Sequence, residues 1–191
     1  MGSSGSTPTP SHRRPIRLLL VLAGEDHPKA CTGRRLLHRG LAEEVPRTDA
    51  LRPPPVILDP HAAEPISGLD RTSAERGGLL VVDCSWNRLA ARGRFPSDPA
   101  RPGRREIRRR LPILVAANPQ HFGRVAELNT VEALSAALYL LGRPEQAAGI
   151  LDGFRGGPAF LEVNEDRLRA YADEPDPSAV RLVEHRFFGG A

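Results

Sequence analysis

The stretch Gly77-Gly78-Leu79-Leu80-Val81-Val82-Asp83-Cys84-Ser85-Trp86 limits the architecture of this chain more than any other. An unbroken apolar run of this kind, bounded by Gly-Gly and an acid, reads as a strand buried on both faces. Strands of that type belong to parallel sheets covered by helices, and their ligands bind beyond the carboxyl ends. Here that end carries an acid, two small polar residues and the single tryptophan of the chain. Two readings share these residues. One is a ligand site from Asp83 to Trp86; the other is a strand cap followed by one core aromatic.

Three further apolar runs predict strands at 16–23, 56–58 and 111–117. Short helices are expected between them: Arg34 to Leu41, with Leu36, Leu37 and Leu41 on one face, Asp70 to Arg76, and Asn87 to Ala91. Buried strands alternating with helices mean an α/β fold with a parallel sheet. From Gly123 onward the periodicity is helical. Asn129 with Glu132 three residues on has the form of a capping box, ahead of a buried stripe of Val131, Leu134, Leu138 and Leu141 that Gly142 ends. Two more helices are predicted, Pro144 to Asp152 and Pro158 to Tyr171, with Tyr139, Phe154 and Phe160 in the core. The end, 172–191, is broken by prolines and reads as partly loose. The expected organisation is a disordered tail at 1–15, an α/β domain at 16–120 and a helical domain at 121–191.

Composition narrows the partners. The formal net charge is +4, and Lys29 is the only lysine, so the positive charge is arginine. Arginine forks suit phosphates and base edges, which makes nucleic acid a candidate. Five arginines occupy seven residues in Arg104-Arg105-Glu106-Ile107-Arg108-Arg109-Arg110. A solvated face is the default for such a run, and phosphate contact is the alternative. The two cysteines, Cys31 and Cys84, fit a reducing cytosol and no disulfide scaffold. No apolar run reaches the length of a membrane span. Cysteine and histidine spacing matches no zinc or iron–sulfur pattern, so no metal is expected. Neither Gly-x-Gly-x-x-Gly nor a phosphate loop occurs. A Cys–His or Ser–His–Asp set stays open, without a Gly-x-Ser-x-Gly elbow to support it. What remains is a site made of strand-end loops: Thr32, Leu58-Asp59-Pro60, 83–86 and 111–119. Thr32-Gly33 opens a helix, which offers backbone N–H groups to an anion or is a plain cap. An aromatic face beside a carboxylate suits a cation such as a sulfonium or an ammonium.

Several of these stretches, taken together, are familiar. His27-Pro28-Lys29-Ala30-Cys31-Thr32-Gly33 resembles the Asp-Pro-Lys-Lys-Cys-Thr-Gly loop of the small-subunit ribosomal RNA aminocarboxypropyltransferases. Asp83-Cys84-Ser85-Trp86 resembles that family's Asp-Cys-Ser-Trp. The stretch 111–119, Phe122-Gly123-Arg124 and 128–133 follow in the family's order, and 154–171 is similar to its closing helical segment. The likeness spans about Ile16 to Tyr171.

The resemblance implies a SPOUT-like α/β domain with a trefoil knot, followed by a small all-α domain. It implies transfer of the 3-amino-3-carboxypropyl group of S-adenosylmethionine to N3 of a (methyl)pseudouridine in small-subunit rRNA. The family's cofactor positions fall on Thr32, Val82, Leu111, Ala126 and Thr130, with Leu58 lining the adenine side and Trp86 walling the methionine chain. Asp83 matches the essential acid, as anchor of the ammonium or as base toward N3–H. Arg104, Arg105, Arg108, Arg109 and Arg110 would grip RNA phosphates without reading sequence. Three positions depart from the family: His27 for Asp, Ala126 for an aromatic, and Arg155 for Trp. The expectation is a cytoplasmic, monomeric enzyme acting on small-subunit rRNA or the precursor small subunit, with no membrane and no metal. A SPOUT-type RNA methyltransferase and a non-catalytic RNA-binding assembly protein are the alternatives.

Overall fold

A computed structural model describes residues 14–22, 32–46, 51–83 and 107–189. Five strands, β1 (Leu18–Leu22), β2 (Glu43–Glu44), β3 (Val56–Leu58), β4 (Leu79–Asp83) and β5 (Ile107–Arg109), form one sheet in the order β2-β1-β4-β3-β5. Every neighbouring pair is parallel. The run at Gly77 therefore does become the central strand. β4 pairs with β1 from Leu18↔Leu79 to Leu22↔Asp83 and with β3 from Val56↔Leu79 to Leu58↔Val81. Leu79 and Val81 enter one apolar cluster and Leu80 and Val82 the other, so successive side chains of β4 are buried on opposite faces.

The glycines ahead of β4 are there for space and dihedral angle. A Cβ on Gly77 would lie 2.0 Å from the carbonyl oxygen of Pro54, and Gly78 has φ +91° with the Arg17 carbonyl 2.8 Å from where its Cβ would be. Any other residue would push β4 out from between β1 and β3.

The helices are α1 (Thr32–His38), α2 (Arg71–Gly77), α3 (Thr130–Leu140), α4 (Pro144–Leu151), α5 (Gly157–Val163), α6 (Glu165–Ala172) and α7 (Pro177–Phe188). The capping box at the start of α3 is as predicted: Asn129 Oδ1 accepts from Glu132 N at 2.9 Å, and a Glu132 oxygen accepts from Asn129 N at 3.0 Å. One buried cluster joins sheet to helices, with Leu20, Leu58 and Leu79 alongside Leu134, Leu138, Phe160 and Val183. It runs across the boundary expected near residue 120.

Four expectations are corrected. The segment 158–171 is two helices, divided at Asn164, whose backbone (φ −107°, ψ 10°) departs from helical geometry while its side-chain amide binds Val115. The segment 172–189 is not loose: Asp176 accepts from Ser178 N and Ala179 N at 2.8 and 3.0 Å and starts the twelve-residue α7. Pro177 sits at its first turn, where a missing N–H costs nothing. The arginine run contributes strand β5, which its charge concealed. The predicted helix Asn87 to Ala91 and the tail at 1–13 lie outside the described residues.

The fourth correction concerns 111–117, which is extended but is not a strand of the sheet. Helix side chains take the place of a neighbouring strand along one side. Ile113 N donates to Glu184 at 2.8 Å and its carbonyl accepts from Tyr171 Oη at 3.1 Å. Val115 is bracketed by Asn164, whose Oδ1 accepts from Val115 N at 2.9 Å and whose Nδ2 donates to Val115 O at 2.8 Å. Ala117 N donates to Glu132 at 2.9 Å. Even-numbered residues bond the other way: Leu114 O accepts from Ala126 N, and Ala116 exchanges bonds with Arg124 and Gly123. Every backbone group so paired escapes the desolvation penalty of a lone buried polar group.

Tyr171 links this ladder to pH. Burial, reinforced by the negative charge of Glu184, pushes its phenol well above the ordinary value of 10.0. The folded state thus holds the proton more tightly than the unfolded chain. The stability this contributes is complete below about pH 10 and is lost as pH rises through the raised value. Tyr171→Phe should lower stability at neutral pH by about 1 kcal/mol, the worth of the bond to Ile113, and flatten the alkaline decline. Melting temperatures of both proteins from about pH 8 to about pH 11 test this; parallel alkaline declines would refute it.

Candidate cofactor and RNA site

Parallel pairing brings the carboxyl ends of β1, β3, β4 and β5 to one edge. Register then places the candidates. Leu22 is opposite Asp83, Leu58 is opposite Val81, and Leu58 is opposite Arg109, two residues before Leu111. Leu58, Val82, the Asp83 backbone and Leu111 thus stand at the ends of three adjacent strands. Leu58 and Val82 are buried and Leu111 is partly open. Thr32 opens α1 on the connection leaving β1 and is half-buried. The Asp83 side chain, Trp86, Arg104, Arg105 and His27 lie outside the described residues.

A second group of candidates is built on the loop that follows. Asn118 and Glu132 are its centre. Glu132, 1% exposed, accepts from Ala117 N, from Asn118 Nδ2 at 2.7 Å and from Asn129 N. One carboxylate therefore ties the end of the 111–118 segment to the start of α3, where Thr130 is the first residue. Ala126 lies between them with φ +62°, a left-handed conformation for a non-glycine residue. Its N–H reaches Leu114 O at 2.8 Å, and the backbone turn keeps Ala126 at the surface. His121 Nδ1 contacts Glu127, and Arg124 lies 3.2 Å from the same carboxylate. The His121 hydrogen bond, more than Arg124, holds the Glu127 carboxyl below its ordinary value.

Three arginines of the run, Arg108, Arg109 and Arg110, are ion-paired to carboxylates of the fold. Arg108 binds Asp59 at 2.9 Å, Arg109 binds Asp70 at 3.0 Å, and Arg110 binds both oxygens of Glu184 at 2.7 Å. The three carboxylates are nearly buried, at 6%, 4% and 7% exposure. A buried carboxylate must be paired or it forfeits solvation worth several kcal/mol, so these arginines lock β5 to the core. Arg110 is held above its ordinary value, chiefly by the Glu184 hydrogen bonds. Sequence reading overlooked Asp59, Asp70 and Glu184 as partners, since nothing in local spacing joins Arg110 to a residue 74 positions away.

Among the described residues no cluster of metal-ligating side chains occurs, and no helix is long and apolar enough to cross a membrane.

Comparison with known proteins points the same way as the motifs. Residues 56–188 match the family described as ribosome biogenesis protein, C-terminal. The chain is 40% identical over 171 residues to the 16S rRNA aminocarboxypropyltransferase of Methanopyrus kandleri, covering 88% of this chain and 97% of that protein. It is 42% identical over 164 residues to the enzyme of the same name from Halobacterium salinarum, covering 86% and 92%. The solved structure of the S-adenosylmethionine-dependent rRNA acp-transferase Tsr3 from Vulcanisaeta distributa superposes with a TM-score of 0.75 at 32% identity, over 92% of this chain and 99% of that one. Relatives this similar over almost their whole length leave one assignment: the chain belongs to the rRNA aminocarboxypropyltransferase family.

Proposed function

We propose that this protein transfers the 3-amino-3-carboxypropyl group of S-adenosylmethionine to N3 of a (methyl)pseudouridine in small-subunit rRNA, as a step of ribosome biogenesis. One observation carries the reading: an Asp-Cys-Ser-Trp sequence begins at the end of the central strand, beside Leu58, Val82 and Leu111, in a chain whose relatives are named for this reaction. In the proposed step N3 attacks the chain carbon next to the sulfonium. That carbon–sulfur bond breaks, methylthioadenosine leaves, and the N3–H proton passes to a base. A methyltransferase would point the methyl at its substrate; this site must turn the methyl away. Trp86 holds the chain, the Thr32 loop takes the carboxylate, and Asp83 takes the ammonium or the proton. Holding the carbon in line with N3 supplies several kcal/mol of the barrier.

Val82, Leu111, Ala126 and Thr130 are cofactor positions in this reading, with Leu58 lining the adenine side. Arg104 and Arg105 are the members of the run assigned to RNA phosphates; Arg108, Arg109 and Arg110 act by holding β5. The proposed fold includes the SPOUT-like trefoil knot and a helical unit after residue 120, supported by the non-sequential parallel strand order and the likeness to the Vulcanisaeta structure. The protein works as a cytoplasmic monomer on rRNA or the precursor small subunit.

Mass spectrometry of the small product, after incubation with S-adenosylmethionine and precursor small subunits, tests the reaction. Methylthioadenosine is expected. S-adenosylhomocysteine would make the protein a methyltransferase, and neither product would leave an RNA-binding assembly factor. Trp86→Ala tests the pocket: affinity for S-adenosylmethionine should fall about tenfold or more, for about 1–3 kcal/mol of lost aromatic contact, with an unchanged melting temperature. Unaltered calorimetric affinity in the folded variant would remove Trp86 from the site.

A further inference from the structure

The turn after the 111–118 segment carries an aromatic ring that the fold does not use. Phe122 is 69% exposed, and Val125, three residues on, is 48% exposed. The backbone under the ring is nevertheless pinned. His121 N donates to Asn118 Oδ1 at 3.1 Å, Arg124 N donates to His121 O at 2.9 Å, and Gly123 N donates to Ala116 O at 2.9 Å. Asn118 also donates to Glu132. The turn therefore shares its anchor with the start of α3, where Thr130 sits, and with the Leu114 carbonyl that holds Ala126.

An exposed phenylalanine on an ordered turn serves binding better than folding. It leaves apolar area in water, but its backbone loses little freedom when a partner arrives. The chemistry around it selects the partner. Arg124 carries an exposed guanidinium two residues on, at 63% side-chain exposure, and faces Glu127 at 3.2 Å. A flat ring next to a cation is how proteins meet unpaired bases: the ring stacks on a base face and the cation lies along the phosphate.

We propose that Phe122 is the RNA platform of this enzyme, stacking on an unpaired rRNA base next to the one modified, with Arg124 at the adjoining phosphate. The inference rests on the rRNA-transferase reading and adds a positioning residue to it. Because Asn118 and Glu132 join the turn to the cofactor side, a base held on Phe122 has its neighbour delivered at a fixed offset from the reacting carbon.

The test measures binding of a fluorescently labelled single-stranded oligouridine and, separately, of S-adenosylmethionine to the full chain. Phe122→Ala should weaken oligouridine binding about tenfold or more. Phe122→Trp should bind as well as the unaltered protein, and Phe122→Leu should behave like Phe122→Ala, since stacking needs a π face. Affinity for S-adenosylmethionine should be the same throughout, which also certifies folding. Oligouridine affinity unchanged in Phe122→Ala, restored in Phe122→Leu, or unmeasurable in the unaltered protein would each overturn the proposal. A failure of the underlying reading looks different: RNA affinities follow this order, yet no labelled aminocarboxypropyl group reaches small-subunit rRNA.

Discussion

Glu132→Ala is expected to lower the melting temperature by roughly 10 °C and to abolish measurable binding of S-adenosylmethionine. The carboxylate is 1% exposed and accepts three hydrogen bonds, from Ala117 N, Asn118 Nδ2 and Asn129 N. Each donor left without an acceptor in the interior costs about 1–3 kcal/mol, so the three together cost at least about 3 kcal/mol. For a chain of this size each kcal/mol is about 2–4 °C of melting temperature. The functional loss follows from geometry, because the same carboxylate aligns the 111–118 segment with the start of α3. Glu132→Gln keeps the volume but turns one acceptor into a donor, so it should fall between the two. A Glu132→Ala protein with unchanged melting and normal cofactor affinity would refute this account of the loop.

Asp83→Asn should reduce single-turnover transfer about 10²–10⁴-fold. Asp83 ends the central strand, opposite Leu22 and one residue beyond Val82, at the edge where a parallel sheet places its ligand. The substitution keeps the shape and removes the charge. Affinity for S-adenosylmethionine separates its two roles. A carboxylate anchoring the ammonium loses a charge-assisted bond of about 1.5–3 kcal/mol, and affinity falls about tenfold or more. A carboxylate taking the N3–H proton leaves affinity intact while the chemical step slows. Normal rate and normal affinity in a less stable variant would reduce Asp83 to a strand cap.

The sequence by itself determined the local and the periodic. Leu79 to Val82 read as a doubly buried strand, since a short apolar run bounded by Gly-Gly and an acid is too brief for a buried helix; that the glycines serve a close passage between β1 and β3 only the fold shows. The capping box at Asn129 and Glu132 was legible because both of its bonds span three residues. The family was legible through whole motifs in order, where single residues would have said little.

Tertiary structure decided whatever depends on partners far away in the chain. The run at 104–110 reads as a charged surface because sequence does not reveal that Asp59, Asp70 and Glu184 are folded against Arg108, Arg109 and Arg110. Once paired, those charges are compatible with a strand. The run at 111–117 reads as a strand because its apolar pattern is that of one; only the fold supplies Glu132, Asn164, Tyr171 and Glu184 as its hydrogen-bonding edge. The partner of the Asn164 side-chain amide is likewise far away in the chain, since it meets both backbone groups of Val115. Hydrophobic periodicity records which side chains leave water. It carries no record of which polar group will meet which backbone atom, and in this protein those meetings hold the loops of the site in place.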